Sequence, residues 1–108
     1  MNKKDEQIIY HINNHYQEFK LIKNYEDFVS NNIIKKAIIL DLIQIGYNVN
    51  KLSFEFQKQI NKINLRGVVG IRNHLVHGYG TIDDKIVWTA IKENLPDFIF
   101  EINNINLK

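Results

Sequence analysis

Gly70-Ile71-Arg72-Asn73-His74-Leu75-Val76-His77-Gly78-Tyr79 is the stretch that decides how the chain reads. An arginine, an asparagine, two histidines and a tyrosine sit here among Leu75, Val76 and two glycines. The apolar positions continue backwards at helical spacing to Leu65, which predicts a helix over about Leu65–His77. Asn64 is its expected N-cap, and Gly78 stands where a helix commonly ends.

On a wheel of 100° per residue, Leu65, Val68, Val69, Leu75 and Val76 share one broad face, with Arg72 in its middle. Arg66, Gly70, Asn73 and His77 line a second face. An arginine in an apolar stripe is costly unless its guanidinium meets an anion or reaches water. Arg72 therefore either snorkels to the edge, pairs with a core carboxylate such as Asp41, or holds a phosphate through a two-pronged contact. His77 at the helix C-terminus can cap a carbonyl or move protons in acid–base chemistry. Asn73, one turn earlier, can orient it or a substrate oxygen, while His74 is expected to be exposed. Arg72 and His77 leave an ideal helix about 140° apart. One helix does not easily aim both at one phosphate, whereas two copies facing each other across a two-fold axis could.

Working outward, the rest of the chain is also helical in pattern. Ile8, Ile9, Ile12, Tyr16, Phe19 and Ile22 step by three or four behind Asp5, the expected cap. His11 and His15 on this helix have the i, i+4 spacing of a metal pair but lack a third ligand at matching spacing, so they read as surface or boundary residues. A second helix is expected from about Asp27 to Asn50, apolar around more than half its girth and so covered on two sides. Asp41 interrupts it and is read as exposed on the thin polar side, a buried partner for a cation being the alternative. Ser53 can cap one short turn anchored by Phe54 and Phe56, and Gln57–Asn64 reads as a connector. Beyond Tyr79, Asp83 or Thr81 caps a last helix with Ile86, Val87, Ala90 and Ile91 on its stripe. That helix kinks or restarts at Pro96 and continues through Phe98, Ile99, Ile102 and Ile105. These elements make a single domain over residues 1–108, an all-α antiparallel bundle of four to five helices.

Composition narrows the function classes. The net charge of +2 is far from the strongly basic balance of a protein that grips duplex DNA through many phosphates, though a local RNA site stays open. No apolar run is long enough for a membrane span and no signal peptide is expected at the N-terminus. With no cysteine there is no disulfide frame or thiolate metal site, and a cytoplasmic location is expected.

The spacing Arg72-Asn73-(three residues)-His77-Gly78-Tyr79 resembles the Arg–four residues–His–X–Tyr motif of HepT-like proteins in the HEPN (higher eukaryotes and prokaryotes nucleotide-binding) superfamily. Ala37–Gly46, Lys51-Leu52-Ser53, Arg66–Ile71, Ile82-Asp83, Ile86-Val87-Trp88 and Leu95-Pro96 look like that family in order and spacing, so the resemblance covers nearly the whole chain. It departs at Tyr47, where many relatives have glutamate after the glycine, and at Leu65, where many have tryptophan. The resemblance implies a homodimeric, metal-independent endoribonuclease that needs no cofactor and acts as the toxin of a toxin–antitoxin pair. Its implied partner is a nucleotidyltransferase antitoxin of the MNT type, which would transfer AMP to Tyr79. Carried over, Arg72 binds the scissile phosphate, Asn73 positions it, and His77 handles protons during attack by the ribose 2′-hydroxyl. The alternative implied function is a non-catalytic HEPN module that binds nucleotides or a partner protein.

Overall fold

Asparagine and serine caps cut the chain into its helices. A computed structural model describes residues 2–77 and 83–105. Helix α1 (Lys3–Gln17) begins at Asn2, whose side chain accepts the Asp5 amide at 2.7 Å. Asp5 is thus not the cap. It is buried, and its carboxylate accepts the Ser53 amide at 2.8 Å and the Ser53 hydroxyl at 2.6 Å. These bonds satisfy a carboxylate that burial would otherwise penalise, and they pin the start of α1 beside the end of the third helix.

A 3₁₀ turn (Glu18–Leu21) buries Phe19, and Asn24 then caps the short α2 (Tyr25–Ser30) around the buried Phe28. The expected long helix from Asp27 is broken here. Asn31 takes an extended backbone, and its side chain accepts from the amides of Ile33 and Ile34, both at 3.1 Å, starting α3 (Asn32–Lys51). Ile38, Leu42, Ile45 and Val49 of α3, at steps of four, three and four, form the spine of the core. Ser53 caps α4 (Phe54–Gln59) as its sequence suggests, but only Phe56 anchors it; Phe54 is 76% exposed.

The region read as a connector is mostly helix. Asn61, not Asn64, starts α5 (Lys62–His77), accepting from the amides of Ile63 and Asn64 at 2.8 and 3.3 Å. The last stretch is α6 (Asp84–Thr89), capped by Asp83, a widened π turn (Ala90–Asn94), and α7 (Leu95–Asn104). The widened turn just precedes Pro96, whose ring would collide with the carbonyl four residues back in a regular helix. Pro96 itself lies in the first turn of α7, where no N–H is needed.

Side-chain bonds fix the helix directions. Lys35 near the start of α3 pairs with Asp84 at 2.7 Å, just past α5, so α3 and α5 run antiparallel. Glu101 near the end of α7 accepts from the Asn61 amide and the Asn64 side chain at the start of α5. Asn103 likewise bonds Asn13 of α1. The result is an all-α antiparallel bundle of four main helical stretches with two short helices between them, and among the described residues there is no strand. No described helix is long and apolar enough to cross a membrane.

Asp41 corrects the sequence reading. It is 4% exposed, on the side of α3 that meets α1, and its Oδ1 lies 2.9 Å from His15 Nδ1. Its Oδ2 is buried with no hydrogen-bond partner among the described residues. Burial pushes the carboxyl up to about 6; the Glu18 carboxylate adds to the rise, and His15 opposes it. Asp41 is a buried partner for a histidine, not an exposed residue and not the partner of Arg72.

Candidate active site on α5

Helix α5 has an apolar side too narrow to sink it. Among its described side chains only Val68 and Leu75 are buried, while Leu65, Val69 and Ile71 pack partly against the core. Val76, placed by the wheel on the apolar face, is exposed at the outer edge of the last turn. The second face behaves as its composition dictates: Arg66, Gly70, Asn73 and His77 are all exposed. A Cβ added at Gly70 would meet nothing within 4 Å, so this side of the helix is uncovered in the single chain.

Arg72 is half-buried because α3 passes under its stem. A Cβ at Gly46 would run into Arg72 Cβ and stand 2.7 Å from Arg72 Cγ. Gly46 is therefore the contact that lets the two helices approach, and it is itself buried. The apolar stem of Arg72 lies against the core in this way, and its head is carried outwards. There Nη1 donates to Asn73 Oδ1 at 2.8 Å, while Nε is buried without a partner among the described residues.

That bond modifies the wheel geometry. The Cα directions of Arg72 and His77 diverge, but Asn73 lies only about 40° from His77 on an ideal helix. By leaning onto Asn73, the guanidinium moves towards the face that His77 occupies one turn later. Asn73 also lines an open groove of about 390 Å³ with Asn50, Gln57, Leu65, Arg66, Val69 and Gly70. Gln57 is held there by donating to the carbonyls of Leu52 and Val49 at 2.8 and 3.3 Å.

His77 sits exposed at the end of α5, whose last-turn carbonyls favour a cation. His74 is half-buried, with its Nε2 buried and unpartnered among the described residues, rather than exposed as expected. Tyr79 and the helix-ending Gly78 lie outside the described residues. The i, i+4 pair on α1 is split: His15 turns to Asp41, and His11 stacks edge-on to Tyr10 at 5.8 Å. Among the described residues, no three of His, Cys, Asp and Glu gather in a group able to hold a metal.

The structure therefore brings Arg72 and Asn73 into contact and sets His77 one turn beyond them. Sequence reasoning missed Gly46 as the seat of Arg72; a lone glycine in the most apolar run of the chain was the available signal. A guanidinium, an amide and an imidazole on an uncovered helix face can bind a phosphodiester and move a proton at a hydroxyl beside it.

The family model for ribonuclease HepT-like proteins matches residues 8–105. A candidate RNase of Methanocaldococcus jannaschii is 31% identical over 79% of this chain and 78% of its own length. A candidate RNase of Caldanaerobacter subterraneus is 28% identical over 76% and 73%. A probable ribonuclease HepT of Thermococcus cleftensis is 28% identical over 74% and 73%. No solved structure matches the chain.

Proposed function

The chain belongs to the ribonuclease HepT-like family, and from that premise we propose that it is the endoribonuclease toxin of a toxin–antitoxin pair. The observation that carries the site is the Arg72–Asn73 bond on the uncovered face of α5, with His77 one turn further on. In this reading the Arg72 guanidinium binds the non-bridging oxygens of the scissile phosphate and Asn73 holds the guanidinium in place. His77 accepts the proton of the ribose 2′-hydroxyl as its oxygen attacks phosphorus. The bond from phosphorus to the 5′-oxygen breaks, and that oxygen takes a proton from water while the proton held by His77 returns to solvent. The products are a 2′,3′-cyclic phosphate and a 5′-hydroxyl. Proton transfer and charge stabilisation supply the catalysis without a metal.

A second copy completes the cleft. Ile33, Leu40 and Tyr47 recur every seven residues along α3 and are all exposed, an apolar stripe that a two-fold partner would cover. Tyr47, standing where an acid is common in the family, carries Lys51 Nζ 4.2 Å above its ring. Tyr79 is the proposed point of control. AMP attached there by a nucleotidyltransferase antitoxin would place negative charge and bulk beside the phosphate site.

One preparation tests the reading. Purified wild-type chain is expected to sediment as a dimer and to cleave RNA in EDTA. His77→Ala should slow cleavage by about 100- to 10,000-fold, the usual reach of a general acid–base. Co-expression with a neighbouring nucleotidyltransferase should add AMP to Tyr79, read by mass spectrometry, and silence the enzyme. Intact RNA at high wild-type concentration sinks the nuclease and leaves a binding module.

A further inference from the structure

The Asn73 groove does not stop at Asn73. Past Gln57 and Leu65 it continues into a second open groove of about 460 Å³, which those two residues share with Phe54, Lys58, Ile60 and Lys62. From Asn73 to Leu65 the path follows α5 for roughly 12 Å, a few nucleotides of single strand. At its far end stands Phe54, 76% exposed, with Lys58 Nζ 5.2 Å from its ring centroid.

Phe54 is not a lone exposed ring: with Ile60 and Leu65 it gives the second groove an apolar lining, between Lys58 and Lys62. Charge says what such a groove would hold. Of the chain's 14 lysines and arginines and 12 aspartates and glutamates, residues 47–77 hold five cations (Lys51, Lys58, Lys62, Arg66 and Arg72) and one acid, Glu55, and Glu101 of α7, bonded to Asn61 and Asn64, brings a second acid to this region. The region around the groove is thus more positive than the whole molecule, whose net charge is only +2. A second copy fits this poorly, because a two-fold contact here would bring Lys58, Lys62 and Arg66 towards their own duplicates. Protein interface cores are also depleted in lysine. Aromatic rings set among cations along an open groove match single-stranded nucleic acid, whose bases stack while its phosphates meet ammonium groups.

We propose that this groove takes the single-stranded RNA flanking the scissile phosphate, one base stacking on Phe54 while Lys58, Lys62 and Arg66 meet the backbone phosphates. The Lys58 ammonium, already over the ring, passes to a phosphate when the base arrives. The polarity of the groove then makes unpaired RNA the substrate, since a base held in a duplex cannot reach the ring. The proposal rests on the ribonuclease reading for its direction, but binding tests it separately.

The probe is a short, fluorescently labelled oligoribonucleotide with 2′-O-methyl groups, which cannot be cut, titrated into the full chain by anisotropy. Phe54→Ala is expected to weaken binding by about 5- to 100-fold, the range of one lost base stack. Phe54→Leu should weaken it as much and Phe54→Trp should restore it, because stacking needs a π face and not just apolar area. Lys58→Ala and Lys62→Ala should each lower the salt slope by about 0.7. Thermal melts should be unchanged by Phe54→Ala, since little of the ring is buried. Unchanged affinity in Phe54→Ala, wild-type affinity in Phe54→Leu, or conversion of a dimer to a monomer by Phe54→Ala would each overturn the proposal. If Phe54 governs binding while RNA with free 2′-hydroxyls stays intact, the subsite stands and the nuclease reading fails. If RNA is cut in a His77-dependent way with no Phe54 effect on affinity or KM, only the subsite falls.

Discussion

Asp41 of α3 and Arg72 of α5 both interrupt apolar stripes, and the sequence alone allows them to pair with each other. They do not. Asp41 is drawn to α1, where His15 meets it at 2.9 Å, and it is shut inside the bundle. Arg72 passes its stem over Gly46 and turns its head outwards to Asn73. The difference is one of reach. A carboxylate on a short stem is buried wherever its backbone is buried and must find a partner there. A guanidinium on a long stem can leave its apolar carbons in the core and keep its charge at the edge. Asp41 therefore belongs to the fold, and Arg72 is free to serve a ligand.

Replacing Arg72 gives the largest test of that contrast. Arg72→Met keeps an unbranched stem over Gly46 and removes only the charged head. Cleavage is expected to fall by about 100- to 1,000-fold, as when a donor to developing negative charge is lost. The melting temperature should hold or rise, because the guanidinium nitrogen that is buried without a partner among the described residues is then gone. A variant that cleaves RNA like wild type but melts early would make Arg72 a structural residue, and the contrast with Asp41 would vanish.

Gly46→Ala sharpens the contrast from the opposite helix. The added methyl would run into Arg72 Cβ, so α3 and α5 must separate or Arg72 must shift. Overpacking of this kind costs about 1–3 kcal/mol, to be read by urea unfolding. Cleavage should fall as well, since the same shift moves the guanidinium off Asn73. Measured against Arg72→Gly alone, which removes the obstructing side chain at its own helix cost, adding Gly46→Ala should cost no further stability, while activity stays lost. An alanine variant as stable and as active as wild type would mean that the close approach at Gly46 does not seat Arg72.

The same physics explains what could be read in advance. The exposed face of α5, with Arg66, Gly70, Asn73 and His77, followed from helical spacing because each residue's position on a wheel depends only on its neighbours. The core of α3 was legible for the same reason. Asp5 and Asp41 were misread because their partners, Ser53 and His15, lie 48 and 26 residues away, and periodicity carries no information about such pairs. The helix starts at Asn24, Asn31 and Asn61 were hard to pick out in a chain with asparagine at so many positions. A cap is distinguished by backbone geometry, not by residue type alone. Phe54 and Phe56 both read as anchors after Ser53, but one turn cannot bury two rings two positions apart, and spacing alone does not say that Phe56 is the buried one. The bond from Arg72 to Asn73 is not legible on a wheel, which locates Cα atoms and not the end of a long side chain.

The smallest effect separates Asp41 from catalysis altogether. Its carboxyl is pushed up from 3.8 to about 6, first by burial and then by Glu18, against the pull of His15. Between those two values the native chain holds a proton that the unfolded chain has released, so stability from this group falls as pH rises through that window. Asp41→Asn imitates the protonated side chain at every pH. Relative to this variant, wild type should lose stability between pH 3.8 and about 6 and show a constant difference above that, measured by denaturant unfolding across pH. Cleavage by the two proteins should keep the same ratio throughout, because Asp41 faces α1 and not the uncovered side of α5. A stability difference flat across the window would show that Asp41 ionises inside the bundle as readily as outside it. A pH-dependent ratio of cleavage rates would instead tie Asp41 to the α5 site and end its assignment to the fold alone.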